Sequence, residues 1–253
     1  MLGIYEHQNL LIAAEQGCAG ISLLALMFRH QHTSPVWVRR DFRLVCDTLH
    51  KFERATLDGT LPFPNPEQVR EKIVQIVSHY RSIEWPKGCL ERLVKIADEN
   101  REMNLPGFSR HGDFWAGNLL LSPHGLRVID WEGYSQHDGL FHDIFFFMTN
   151  YAMFYPWHGW KKCSDETAFK NGFLENNWLA LLIKDTIRAF FYKWNIQPRA
   201  VYLLLVLFLM EMSLPASIRN DPRYPPQYDK WFNLFQTFIH GKPLLLEPEP
   251  ISI

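Results

Sequence analysis

Between Asn118 and Asp130 the chain carries two short apolar runs, Asn118-Leu-Leu-Leu-Ser122 and Leu126-Arg-Val-Ile-Asp130, set around Pro123-His124-Gly125. Runs of that length, broken by turn residues, predict a β-hairpin with a three-residue turn in which Gly125 takes a positive φ. A ribbon this short cannot bury its faces alone, so the rest of the chain must cover it, and the rest reads as helix. From Leu140 onward, segments at 140–155, about 165–177, 179–194, 199–213 and 227–240 are apolar, aromatic and helical in period. Upstream, Phe42, Val45, Leu49 and Phe52 recur at helical spacing with Asp41 as the expected N-cap. Val69, Ile73, Ile76, Val77 and Tyr80 mark a second helix, and Leu90, Leu93, Val94 and Ala97 a third. The Pro-rich stretch Leu61–Pro66 between the first two predicts loop. Residues 1–16 read as two strands around a polar turn, with Gly17 to Gly20 as a connector. The order is two strands, three helices, a hairpin and a helical bundle: α+β, mainly helical.

Composition narrows the function classes. At 47% hydrophobic and 21% charged residues, the chain can bury enough surface to fold, and 14 glycines and 16 prolines without period exclude a fibrous repeat. A formal charge of −1 supplies no footprint for nucleic acid or an anionic membrane. The longest uncharged apolar run, Ala200 to Met210, falls short of the roughly 20 residues that a membrane span needs. The N-terminus lacks the basic region of a signal peptide. Cys18, Cys46, Cys89 and Cys163 are widely spaced, as reduced thiols are. A cytoplasmic protein with no nucleic-acid or membrane partner is the expectation.

The chemistry concentrates at the hairpin. His111-Gly-Asp113 is followed five residues later by Asn118 at the ribbon's mouth, and Asp130 stands at its far end. Pairing of the strands brings Asn118 and Asp130 together. An amide oxygen and a carboxylate suit a hard cation such as Mg²⁺, and Asp113 then stands where it could accept a hydroxyl proton during phosphoryl transfer. Other readings of nearby residues are weaker. His137 and His142 are spaced i, i+5, wrong for two ligands on one helix face, and read as capping or surface histidines. Gly133-Tyr134-Ser135-Gln136-His137 is no nucleophile elbow. Glu132 could touch metal or substrate, or pair structurally.

His-Gly-Asp-x4-Asn followed by Ile129-Asp130-Trp131-Glu132 resembles the core of the aminoglycoside phosphotransferase and choline kinase-like family, which shares the protein-kinase fold. The resemblance implies Asp113 as catalytic base, Asn118 and Asp130 as Mg²⁺ ligands, and His111 as support of the loop. Leu120 and Ile129 would floor the adenine of ATP, with Glu15, Gln16 and Gly17 as the hinge that meets it. Phe141-His142-Asp143-Ile144 looks like the family's helix start that braces the catalytic loop through Asp143. It also implies a division into residues 1–20, remnant N-lobe strands and hinge, and 21–253, a helical C-lobe with its catalytic loop and hairpin at 111–132. The expected activity is ATP-dependent transfer of the γ-phosphoryl group to a hydroxyl of a small molecule. The departure from the family is upstream: no Gly-rich loop is present and the first lysine is Lys51, inside a helix. That pattern suggests a truncated kinase, or alternatively a non-catalytic kinase-like module that binds a nucleotide or partner.

Overall fold

A computed structural model describes residues 3–7, 10–14, 17, 19–29, 34–80, 83–138, 141–155, 163–214 and 228–241. Its elements are β1 (Gly3–His7), β2 (Leu10–Ala14), β3 (Ile21–Ser22), α1 (Leu23–Arg29), α2 (Pro35–Ala55), β4 (Thr60–Pro62), α3 (Pro66–His79), α4 (Cys89–Glu99) and β5 (Asn104–Pro106). There follow β6 (Phe108–Arg110), β7 (Leu119–Ser122), β8 (Gly125–Val128), β9 (Ser135–Asp138), α5 (His142–Phe154), α6 (Asp165–Phe173), α7 (Trp178–Tyr192), α8 (Pro198–Ser213) and α9 (Tyr228–His240). The architecture is α+β and mainly helical.

The helices follow the apolar spacing. Along α2 the side chains of Val38, Phe42, Val45 and Leu49 are all but fully buried. That helix begins earlier than expected, because Ser34 caps it and Pro35 occupies its first turn. Asp41 is therefore no cap: it lies inside the helix, buried, and accepts a hydrogen bond from the Tyr151 hydroxyl at 3.3 Å. α3 has a full capping box, Asn65 with Gln68. Helices α5 and α8 are buried almost all round. For α8 the reason is its position, with α3, α4, α5, α7 and α9 all packed against it. Among the described residues no helix is long and apolar enough to cross a membrane. Cys46 and Cys89 are free and buried, filling core space.

Among the described residues, four small sheets complete the fold. β1 pairs with β2 antiparallel, Gly3 opposite Ala14 and His7 opposite Leu10. The expected hairpin is β7–β8, but Ser122 pairs with Gly125, so only Pro123 and His124 lie between paired residues and the turn is one residue shorter than expected. Gly125 does take a positive φ, 109°. β3 joins the same sheet through β7, where a Cβ on Gly20 would lie 2.9 Å from the Leu120 Cβ. The Pro-rich stretch is not all loop, since Thr60–Pro62 pairs with Asn104–Pro106; both prolines stand at strand ends, where a missing N–H is tolerated. β6 pairs with β9 through an irregular register. This ribbon brings the residues before His111 alongside those after Gly133.

Candidate active site

Three backbone segments meet at the site: the loop 111–118, the end of the hairpin at 129–130, and the turn 131–133. What holds the first of them is Asp143, in the first turn of α5. Its two carboxylate oxygens accept from the backbone N–H groups of His111 at 2.6 Å and Gly112 at 2.9 Å. Burial alone would push this carboxyl up. The imidazole of His142, with Nδ1 3.7 Å from Oδ1, and the two backbone donors outweigh burial and hold it below the ordinary aspartate range. His142 itself is buried against Phe146 and Phe208 rather than at the surface.

His111 is the second tie. Its Nδ1 accepts the backbone N–H of Asp113 at 3.2 Å, so the ring proton sits on Nε2 and is donated to the Ile129 carbonyl at 2.9 Å. Ile129 in turn donates its N–H to the Asn118 carbonyl at 3.0 Å. The residue immediately before Asp130 is thus bonded on both sides, to the loop and to the mouth of the ribbon. Trp131 closes the assembly, its ring 4.6 Å from that of His111 and 5.2 Å from that of Phe52 on α2.

Gly112 permits this closeness. Its φ is 86°, and an added Cβ would collide with the carbonyl of Gly133; a Cβ on Gly133 would lie 2.6 Å from the His111 carbonyl oxygen. The two backbones touch with no side chain between them. Neither glycine could be assigned this role from sequence, because the contact is twenty-one residues apart along the chain.

On this frame the sequence-derived trio converges. Asn118, 8% exposed, donates from Nδ2 to the Asp113 carbonyl at 3.0 Å and to its Oδ2 at 2.8 Å. With the amide nitrogen so engaged, Oδ1 is the atom left to meet a ligand. Burial raises the Asp113 carboxyl above its ordinary value. The Asn118 bond pulls it back, the negative charges of Asp130 and Glu132 push it up again, and His111 opposes them. Asp130 is exposed and sits in the left-handed region (φ 64°, ψ 64°), which turns the chain sharply as it leaves β8. The Asn118 amide oxygen and the Asp130 carboxylate are the kinds of oxygen that a hard divalent cation takes, with the Asp113 carboxyl bonded beside them.

The outer positions are mixed. Leu119, Leu121, Leu126 and Val128 pack into the core, so alternation puts Leu120 and Ile129 on the opposite face of the ribbon, both half-buried. Gly17 is exposed with open space about it, while Glu15 and Gln16 lie outside the described residues. Glu132 is exposed beside the trio. A polar cleft lined by Thr56, Asp58, Ser109, Tyr134 and Gln136 contains none of the proposed ligands.

No protein-family model matches the chain, and no curated protein sequence does either. Among solved structures, it is similar to a glucosamine kinase in complex with glucosamine, ADP and inorganic phosphate, at 12% identity and a TM-score of 0.47, covering 86% of this chain and 58% of that one. Two further crystal forms of glucosamine kinase match at 13% identity with TM-scores of 0.48 and 0.47. In those two the chain again contributes 86% of its length, and covers 56% and 54% of theirs. It therefore spans little more than half the length of the structures it matches. At TM-scores below 0.5 the likeness adds nothing to the site, whose chemistry rests on its own geometry.

Proposed function

We propose that the 111–130 cradle is the active site of an ATP-dependent phosphotransferase acting on a hydroxyl of a small molecule, akin to the aminoglycoside phosphotransferase and choline kinase-like family. The observation that carries this reading is the 2.8 Å bond between Asn118 Nδ2 and Asp113 Oδ2. It couples the proposed proton acceptor to a residue whose amide oxygen is left over for a cation. Asn118 Oδ1 and the Asp130 carboxylate would hold Mg²⁺, which when bound would neutralise charge on the phosphates of ATP. Asp113 orients the acceptor hydroxyl and takes its proton, and a carboxyl raised by burial is the better base for that task. The Leu120 and Ile129 face of the ribbon offers an apolar floor to adenine.

A second reading is favoured by one observation: the sequence has no Gly-rich loop and no lysine before Lys51. In this reading the cradle binds a nucleotide without transferring from it. One set of measurements separates the two readings. Mg²⁺-dependent ATP binding, followed by calorimetry, should be weak in the wild-type chain and lost in Asp130→Asn. ATP turnover against aminoglycosides, choline, homoserine and amino sugars should be slow and should vanish in Asp113→Asn. Binding without any turnover supports the non-catalytic module. ATP affinity equal in wild type and Asp130→Asn removes the nucleotide site itself.

A further inference from the structure

Behind the catalytic loop lies a second acid that the proposed chemistry does not use. Glu53, in the last turn of α2, is 1% exposed, more deeply buried than any ligand of the site. Its one hydrogen-bond donor among the described residues is the indole N–H of Trp194, at 3.2 Å from Oε2. No ion pair reaches it there. The charged neighbours are turned elsewhere. On its own helix Asp47 pairs with Lys193 at 3.3 Å, and Arg54 is exposed. His50 lies against the Trp194 ring at 5.1 Å. Arg110 of β6 is drawn to Glu211 at 3.9 Å, and His142 of α5 lies beside Asp143. The charge that does reach Glu53 is that of Asp143, and it is negative.

Two buried acids within electrostatic reach of each other cannot both stay ionised when only one of them has donors enough. Asp143 has two backbone N–H groups and an imidazole; Glu53 has one neutral indole. We infer that Glu53 is a positioning residue held as the neutral carboxylic acid, and that its proton is what allows Asp143 to remain charged and to grip the backbone of His111 and Gly112. Burial and Asp143 both push the Glu53 carboxyl well above its ordinary value, against the Trp194 bond. The inference concerns the loop's geometry and stands whether or not the chain transfers phosphate.

The sign of the pH dependence follows. The folded chain keeps the Glu53 proton to higher pH than the unfolded chain, where a glutamate titrates at about 4.3. Stability is therefore full at low pH and falls as pH rises from there through the raised folded value. In that range each pH unit should lower Tm by about 3–5 °C. Once Glu53 ionises, a second negative charge stands against Asp143 and the loop loosens.

The test compares wild type with Glu53→Gln, the neutral isostere, by thermal unfolding from pH 5 to 9. It is joined by hydrogen exchange of the His111 and Gly112 amides, corrected for the intrinsic rate. Asp113, also raised, contributes equally to both proteins and cancels in the difference. Expected is a wild-type Tm that falls with pH more steeply than that of Glu53→Gln, and loop amides that become labile at high pH in wild type alone. Parallel Tm curves, or a variant that loses most at high pH, would overturn the inference. Should Glu53→Gln fail to fold, the wild-type protein carrying ¹³C-labelled glutamate still decides. One side-chain carboxyl must stay protonated at neutral pH, and a set of glutamates that all titrate near the ordinary value refutes it.

Discussion

Asp143→Asn is the sharpest perturbation of the site that touches none of its proposed ligands. The wild-type carboxylate offers two acceptor oxygens to two backbone donors, at 2.6 and 2.9 Å, in a fully buried pocket. An asparagine of the same shape offers one acceptor and one NH₂. One of the two amides, His111 or Gly112, must then face another donor. The lost charge-assisted bond is worth about 1.5–3 kcal/mol, and reducing the surviving bond from charged to neutral costs about 1 kcal/mol more. The sum, about 2.5–4 kcal/mol, should appear in a urea titration at pH 7 as a lower midpoint at unchanged slope, and in thermal unfolding as a fall in Tm of about 5–15 °C. The acid limb should change as well. The Asp143 carboxyl is held below its ordinary value, so its stabilisation is complete above about pH 4 and is lost as pH falls through the lowered folded value. The asparagine variant should lack that component of acid unfolding. A loss below about 1 kcal/mol, or an acid limb identical to wild type, would show that the two bonds do not hold the loop.

Gly112→Ala should cost about 2–4 kcal/mol, from a left-handed φ together with the collision against Gly133, and a cost within 0.5 kcal/mol of zero would contradict the close packing. Asn118→Leu removes the bond that lowers the Asp113 carboxyl. Its titration, followed by ¹³C NMR, should move to still higher pH, and a downward move would refute the assignment of that bond. Asn65→Ala dismantles the capping box of α3 and should cost about 1 kcal/mol in denaturant unfolding without changing nucleotide binding.

The proposed phosphoryl transfer would place definite demands on the loop. A phosphotransferase needs an acceptor base, oxygen ligands for a cation, and a rigid loop that keeps them in register. Here rigidity comes from backbone contacts: Asp143 holds two N–H groups, His111 ties the loop to Ile129, and two glycines let the chain segments touch. Asp113, Asn118 and Asp130 are thereby left to the proposed chemistry, while buried groups outside it carry the structural load.

Period and turn chemistry were enough to read the helices α2 to α9 and the two hairpins, because each is a local pattern of apolar spacing bounded by Pro, Gly or a polar break. That Asn118 and Ile129-Asp130 come together was legible for the same reason: strand pairing across a short turn is local, and it sets which residues stand opposite one another. The errors also have local causes. Asp41 has the right chemistry for a cap, yet Ser34-Pro35 upstream is the stronger start, and the turn of α2 that holds Asp41 faces Tyr151. Leu61 to Pro66 looks like loop until Asn104–Pro106 arrives to pair with its first residues. What only tertiary structure decided is the long-range part: Gly133 against Gly112, the loop's grip by Asp143, and Glu53 beside that acid. Burial and charge at those positions are set by atoms brought from distant segments, and no periodicity in the chain encodes which distant acid will lie within electrostatic reach of another.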